Sequence, residues 1–375
     1  MPLKNDLCNR TVVVCSNYAW TVLNFRMPII RRLKAEGYRV IVLTQFDGFE
    51  NSIKSEVDEI RPLFISRQGI NPLIDFFTFL DFIRHLISLR PSYIFLFTIK
   101  PVIYGSLAAR IIKIKSIVMI TGLGTAFIKD NWITKLVKVL YKFSLSKVRT
   151  VFFQNNSDRS IFISNSLVDP NISKLTPGSG VDLNKFFVTK LPKESSITFL
   201  LIARMLWDKG VGEFVSAARE IKCKYPGARF QLLGPLGVQN RTSIPSKQME
   251  DWVAEGVVEY LGETDDVTSY IDKACCIVLP SYREGTSRVL LEGAAMGRPL
   301  IASNVPGCRE VIDDGITGFL CEPRNHNDLL KKMESMIEET YETRTAMGIR
   351  GRSKVEKEFN QDIVCDLFID AINHE

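Results

Sequence analysis

Residues 276–320 confine this chain to one class of fold. They read CIVLPSYREGTSRVLLEGAAMGRPLIASNVPGCREVIDDGITGFL. The short apolar run Ile277–Leu279, bounded by Pro280 and Ser281, has the character of a buried strand. A loop with Arg283, Glu284 and Gly285 follows. Next comes a helix with Val289, Leu290 and Leu291 as apolar positions and a small-residue face at Gly293, Ala294 and Ala295. Gly297, Arg298 and Pro299 stop that helix, and Leu300–Ala302 begins another strand. Strand, loop, helix and strand in this order form a parallel crossover. Ligands of such sheets sit at the carboxyl ends of strands, where helices begin. The helix start near Thr286 and Ser287 offers backbone N–H groups and a positive dipole end, both suited to phosphate. Carboxylates repel phosphate, so Glu284 in the loop and Glu292 further along the helix suit sugar hydroxyls instead.

The same alternation runs through the chain twice. Apolar runs at Thr11–Cys15, Val40–Leu43, Pro62–Ile65, Tyr93–Phe97, Ile117–Ile120 and Val151–Phe153 are predicted strands. Helices are predicted near 24–36, 73–89, 101–112, 131–147 and 157–165. Repeated βα units with apolar strands specify an α/β fold whose parallel sheet is covered on both faces. At Pro177–Asp182 (PGSGVD) three turn residues precede an aperiodic stretch, which marks a domain boundary. A second series starts at Ile197, with strands near Phe230–Leu233, Val257–Tyr260, Ile277–Leu279 and Leu300–Ala302. Its helices fall near 211–224, 247–255, 266–273, 287–296 and 326–339, and 344–373 reads as one or two more. Two doubly wound domains are expected, 1–185 and 186–355, facing each other across a cleft. The predicted helix at 73–89 keeps one polar stripe (Asp75, Thr78, Asp81, His85, Ser88), so most of its surface is expected in the core, with His85 a surface or capping residue.

Composition narrows the chemistry. A chain of 375 residues with 46% apolar content can build two cores. Its net charge of +6 suits an anionic partner, whether a nucleotide, a nucleic acid or a phospholipid surface. Eight cysteines without CxxC spacing read as buried, reduced thiols. Three histidines make a zinc site or a histidine base improbable. GxxxxGK[ST] is absent, no GxGxxG follows Thr11–Cys15, and no D-x-D pair would hold metal at a sugar diphosphate. No nucleic-acid motif is present, and no partner of that kind is expected. Neither a signal peptide nor an apolar run of transmembrane length is visible, so a cytoplasmic location is expected.

A leaving diphosphate without metal must be neutralised by Arg, Lys and backbone dipoles. Arg204 and Lys209, in ARMLWDK after the first strand of the second series, stand near a strand's carboxyl end and a helix start. Arg offers a planar fork and Lys a point charge, both suited to a diphosphate. Taken alone the two read as solvated surface cations in a turn; the Glu284 and Glu292 unit in the same half favours the diphosphate. Separately, Ile128–Arg149 projects as a basic amphipathic helix. Lys135, Lys138 and Lys142 form one stripe, and Trp132, Ile133, Leu136, Leu140 and Phe143 occupy the other side. Two arrangements account for it: a helix lying on an anionic bilayer, or a domain helix with its apolar side in the core and its lysines solvated.

The residues Arg204–Lys209 (RxxxxK), Pro177–Asp182 (PGSGVD) and Glu284–Glu292 (E-x7-E), with GRPLIASNVPGCREVIDDGITGFL, resemble retaining glycosyltransferases of family four, which have the GT-B fold. NFRMPIIRRLKAEGYRV and VMITGLGTAF look like the branch that builds bacterial lipid-linked O-antigen, capsule or glycoprotein glycans. The resemblance implies a nucleotide-sugar donor, a UDP-sugar, in the second domain and a polyprenyl-diphosphate-linked saccharide acceptor in the first. The transferred sugar would be a hexose or N-acetylhexosamine, and neither metal nor cofactor would be needed. Carried over, Arg204 and Lys209 would hold the diphosphate, Glu292 the donor ribose and Glu284 the sugar hydroxyls, while backbone N–H groups of Gly285, Thr286, Ser287, Arg288 and Val289 would line the phosphates. The departing phosphate would take the acceptor proton. Thr121 stands where many relatives have His; with Gly122, Asn17, Arg26 and Lys100 it is a candidate acceptor contact. The C-terminal helix, about 356–375, could pack back on the first domain, and the enzyme would sit peripherally on the inner face of the cell membrane. Two other readings belong to the same fold. A UDP-sugar 2-epimerase would need acid–base side chains that this chain lacks. A non-catalytic membrane-associated module would be expected to have lost the charged motif positions, and none of the four is missing.

Overall fold

The computed structural model describes residues 10–66, 71–123, 132–193 and 196–373. The chain forms two compact units, one running to Ser179 and resuming at Asp362, the other Gly180–Gln361. In the first, the strands are β1 (Thr11–Tyr18), β2 (Arg39–Gln45), β3 (Glu59–Pro62), β4 (Tyr93–Phe97), β5 (Lys115–Ile120), β6 (Thr150–Phe153) and β7 (Ser173–Leu175). They form one sheet in the order β3-β2-β1-β4-β5-β6-β7, and every pairing is parallel. In the second, β8 (Thr198–Ile202), β9 (Arg229–Leu233), β10 (Glu259–Tyr260), β11 (Cys276–Leu279), β12 (Leu300–Ser303) and β13 (Gly318–Cys321) lie in the order β10-β9-β8-β11-β12-β13, again all parallel.

Side-chain alternation explains why the strands are apolar throughout. In β1, Val13 and Cys15 join a core with Phe82, Leu86, Val137, Tyr141 and Leu145 on one face. Val12 and Val14 join Val22, Ile30, Leu33 and Phe368 on the other. Both sets are buried, as a strand covered on both faces requires. The second face receives the helix Gln361–Asn373. Phe368 lies 4.7 Å from the Phe152 ring, and Arg149 Nε donates to Ala371 O at 2.7 Å.

Several expectations are corrected. The single helix expected at 24–36 is two, Ala19–Phe25 and Met27–Ala35. They break at Arg26 because Pro28 cannot continue a helix without clashing with the carbonyl four residues back. The third strand is Glu59–Pro62 rather than Pro62–Ile65; Pro62 is tolerated on this edge strand because the next bond to β2 comes from Leu63 N, which donates to Thr44 O at 2.9 Å. β7 and β13 were not expected: the first has three residues on an edge, and the second starts on a glycine.

The helix Pro72–Leu89 is turned over relative to expectation. Its polar stripe faces inward, with Asp75, Thr78 and His85 buried. Lys100 Nζ donates to Asp75 Oδ1 at 2.7 Å, Thr78 Oγ1 to Ile74 O at 3.0 Å, and His85 Nε2 lies 3.2 Å from Pro62 O. These partners satisfy the polar groups that burial strips of water. His85 is therefore an interior residue, and burial holds its pKa below the ordinary histidine value. On the outer side, Leu73 is 72%, Phe76 56% and Phe77 57% exposed.

The helix Trp132–Leu145 is likewise rotated from expectation. Thr134, Val137, Tyr141, Ser144 and Leu145 face inward, while Leu136 and Phe143 are exposed beside Lys135 and Lys142. Lys138 Nζ donates to Asn165 Oδ1 at 3.0 Å. Lys129 and the Trp132 side chain lie outside the described residues.

Candidate active site

Each sheet reverses its strand order once. In the second unit the reversal falls between β8, which continues to β9 and β10, and β11, which continues to β12 and β13. Crevices at such reversals are where open α/β sheets bind ligands, outside the carboxyl ends. β8 and β11 are adjacent there, with Cys276 opposite Phe199 and Ile277 opposite Leu200. The loops that leave them therefore start side by side.

Those loops carry the motif residues. After β8, Arg204 is exposed, and a turn of 3-10 helix, Trp207–Lys209, presents Lys209. Lys209 Nζ donates to Glu284 Oε1 at 2.5 Å, with the two side chains 20% and 14% exposed. Sequence reading places both residues near strand ends; the structure joins them as one pair. Gly210 makes the approach feasible: its φ is +73°, and a Cβ there would meet Pro280 O at 2.1 Å. Backbone bonds close the contact, since Tyr282 N and Ser281 Oγ both donate to Asp208 O, at 2.9 and 3.2 Å.

A second latch holds the Glu284 loop from the β12 side. Ser287 N donates to Gly307 O at 2.8 Å and Glu284 N to Pro306 O at 3.3 Å. Gly307, at φ +84°, has no room for a Cβ, which would lie 2.4 Å from Gly285 O. Its N–H donates to Glu310 Oε2 at 2.6 Å. Ser287 then caps the helix Arg288–Ala295, its Oγ accepting from Leu290 N at 3.4 Å. The Gly285–Val289 segment thus brings a helix N-terminus beside the Lys209–Glu284 pair.

Glu292 sits one turn into that helix, buried, and accepts from Arg288 Nε at 2.7 Å. Burial raises its pKa above the ordinary carboxyl value, opposed by the Arg288 charge and hydrogen bond and by Lys185. Sequence reading missed the support around this site. Tyr282 OH donates to Glu213 Oε1 at 2.6 Å, Arg324 lies 4.6 Å over the Tyr282 ring, and Thr242 Oγ1 donates to Asp208 Oδ2 at 3.1 Å. Burial and the Glu213 bond push the Tyr282 phenol up. Glu213 had one available signal, an acid in the first turn of the helix that follows Lys209. Among the described residues no group of three His, Cys, Asp or Glu side chains is arranged to hold a metal ion.

The first unit reverses between β1 and β4. At the end of β1 the register slips between Cys15 and Tyr18, a bulge that re-aims Ser16 and Asn17. The buried Ser16 Oγ, Asn17 Oδ1 and Gln45 Oε1 have no hydrogen-bond partner among the described residues. Lys100, beyond β4, is committed to Asp75, and burial together with Asp75 raises the Tyr104 phenol. Arg26 is enclosed, with its guanidinium 4.0 Å over the Phe97 ring and NH1 donating to Ser179 Oγ at 3.2 Å. Thr121 and Gly122 follow β5, partly buried; most of the segment after them lies outside the described residues.

Comparison with known proteins agrees with this architecture. Residues 184–354 match the family model "Glycosyl transferases group 1", and residues 12–155 match "Glycosyl transferase 4-like". The chain is 29% identical over 336 residues to N,N'-diacetylbacillosaminyl-diphospho-undecaprenol alpha-1,3-N-acetylgalactosaminyltransferase of Campylobacter jejuni, covering 85% of this chain and 87% of that one. It is 27% identical to the capsular polysaccharide biosynthesis glycosyltransferase CapM of Staphylococcus aureus, over 54% of this chain and 56% of that one. Among solved structures, Anabaena HepE in complex with UDP and glucose superposes with a TM-score of 0.79 at 16% identity, covering 97% of this chain and 99% of that one. Sucrose-phosphate synthase from Thermosynechococcus elongatus gives 0.78 at 17% identity, over 97% and 98%. Both halves match in chain order and both sheets carry the doubly wound topology, so the chain belongs to the family-four glycosyltransferases of GT-B fold.

Proposed function

We propose that this glycosyltransferase moves a hexose or N-acetylhexosamine, with retention of anomeric configuration, from a UDP-sugar to a polyprenyl-diphosphate-linked saccharide during surface-glycan assembly. The Lys209–Glu284 pair at the β8/β11 reversal, beside a capped helix N-terminus, carries this reading. The names of the Campylobacter jejuni and Staphylococcus aureus relatives support the lipid-linked and surface-glycan parts.

In the proposed reaction the bond between the sugar C1 and the diphosphate oxygen breaks. The negative charge that develops on that oxygen meets Lys209, Arg204 and the N–H groups at the start of the Arg288–Ala295 helix. Glu284 accepts hydrogen bonds from sugar hydroxyls and, through its bond to Lys209, fixes the ammonium before the donor arrives. The acceptor hydroxyl adds to C1 from the face the diphosphate leaves, and its proton passes to the departing phosphate oxygen. No side-chain base is required. Glu292 takes the donor ribose, with Arg288 holding its carboxylate in place. The acceptor would lie at the β1/β4 reversal, where the buried Ser16 Oγ and Asn17 Oδ1 have no hydrogen-bond partner among the described residues.

The test is transfer from a panel of UDP-sugars to a polyprenyl-diphosphate-linked saccharide with and without chelator, followed by NMR assignment of the new linkage. An α product formed at an undiminished rate in chelator is expected. A β product rejects retention, loss of activity in chelator rejects the cationic neutralisation, and a new free sugar formed without acceptor identifies an epimerase.

A further inference from the structure

We propose that the outer face of the helix layer of the first unit is a docking surface for an anionic bilayer, with the helix Pro72–Leu89 inserting its exposed apolar row among the lipids. This rests on the proposed lipid-linked acceptor and adds where, and by which side chains, the enzyme meets the membrane. The row consists of Leu73, Phe76, Phe77 and Leu80, between 42% and 72% exposed. It is not a by-product of core formation. The side of this helix that faces the sheet carries the polar residues, and each of Asp75, Thr78 and His85 needs a dedicated partner to be buried there. A helix serving the core alone would be turned the other way, with its apolar row inside.

The row is also not isolated. Pro72–Leu89, Ser106–Ile112 and Trp132–Leu145 pack side by side over one face of the sheet. The other two helices add Ile111 and Phe143, each 60% exposed, to the outer surface. Arg110 ties them together through Ser146 Oγ at 3.0 Å. Exposed apolar side chains on three neighbouring helices of one layer mark an interaction site.

Charge identifies the occupant. The only acids in the three helices are Asp75 and Asp81. Asp75 is buried against Lys100, and Asp81 is held by Arg84 at 2.7 Å. The cations Arg110, Lys135 and Lys142 have no acid beside them on these helices, so the net exposed charge is positive. Exposed apolar side chains and cations on the same helix layer, with no exposed acid on these three helices, complement anionic headgroups over acyl chains. Among the described residues no helix is long and apolar enough to cross a membrane, so the contact is interfacial.

Flotation of the full chain with vesicles of phosphatidylcholine, alone or mixed with phosphatidylglycerol, tests this. The chain is expected to float with the mixed vesicles. Phe76→Ser with Phe77→Ser should lower partitioning about tenfold or more at any salt concentration, because apolar insertion is not screened. Lys135→Gln with Lys142→Gln should weaken it only at low salt. Leu73→Ser with Leu80→Ser provides a second apolar variant should the first fail to fold, as judged by its melting temperature. Undiminished flotation of a folded apolar variant overturns the proposal, as does failure of the parent chain to float. Concentration-dependent self-association that the Phe variant abolishes, without an effect on flotation, would make the face an interface between copies. Transfer to a water-soluble acceptor analogue is read in parallel. Flotation as expected without transfer to any acceptor would reject the functional reading and leave the docking surface standing.

Discussion

At the β8/β11 reversal of the second unit and at the β1/β4 reversal of the first, the chain sets a lysine against a carboxylate, but the two pairs are built differently. Lys209 and Glu284 both stand on loops leaving the carboxyl ends of neighbouring strands, and each loop is latched by a close backbone approach at Gly210 or Gly307. Lys100 also follows a strand, but its partner Asp75 belongs to the first turn of a helix whose apolar row faces outward. The first pair has a preorganised backbone and stands at the proposed donor site. The second compensates for a polar stripe turned into the core. On the proposed function, a paired charge at a strand end is a binding group when its partner stands on a neighbouring strand-end loop, and a packing group when its partner belongs to a helix against the sheet.

The largest expected difference between the pairs is catalytic. Lys209→Ala should lower kcat about 100- to 1,000-fold, the usual cost of removing one preorganised donor to a developing anion. Glu284→Gln should fall in the same range with folding retained. Both are checked by UDP release and by melting temperature. Unchanged turnover in both would remove the β8/β11 pair from the mechanism and leave the two reversals equivalent.

The first-unit pair is expected to respond in stability. Asp75→Leu alone leaves Lys100 without its carboxylate and should cost about 3 kcal/mol by urea unfolding, the low end for a buried pair because Lys100 keeps some exposure. Asp75→Leu combined with Lys100→Met should recover most of that, because a buried pair replaced by apolar groups of similar volume is often tolerated. If activity recovers with stability, the pair is structural. If stability returns and the KM for acceptor remains raised, Lys100 contacts acceptor as well.

The comparison also shows what a sequence can disclose. Strands buried on both faces, such as Thr11–Tyr18 and Thr198–Ile202, announce themselves as β-branched or aliphatic runs, and the doubly wound fold follows. Ser173–Leu175 and Gly318–Cys321 do not, because edge strands of three and four residues are too short to stand out as a run. Periodicity marks a polar stripe on Pro72–Leu89 but not which side faces the sheet. That choice depends on Lys100, on Pro62 O and on what lies outside the fold. Likewise Lys209 and Glu284 are legible as charges near helix starts. Their contact is not, because it spans 75 residues and depends on β8 pairing with β11. The supports at Tyr282, Glu213 and Gly307 are tertiary in the same sense.

The latch at Gly210 should have a smaller effect than the ion pairs. Gly210→Ala forces a left-handed conformation on a side chain that would meet Pro280 O, costing about 2 kcal/mol, unless the turn shifts. A shift would carry Lys209 away from Glu284, so UDP affinity should fall along with stability. A stable variant with unaltered UDP affinity would show that the preorganised backbone distinguishing this pair from Lys100–Asp75 is not needed.

Glu292→Gln sharpens the contrast at the lowest cost in stability. Its carboxyl is raised in the folded chain because burial outweighs the Arg288 charge. The native state therefore holds this proton more tightly than the unfolded chain, and stability is lost as pH rises from the unfolded carboxyl value through the folded one. The parent should be least favoured, relative to the Gln variant, near neutral pH, where the native state keeps a buried carboxylate. Melting temperatures measured from acid to neutral pH should show the gap, variant minus parent, moving upward with pH, and UDP should bind the variant more weakly than the parent. That combination is expected of a group retained for a ligand at a cost to the fold. A gap that does not move with pH would mean that the Arg288 pair fully compensates the carboxylate. Glu292 would then resemble Asp75, a charge settled by its own neighbours.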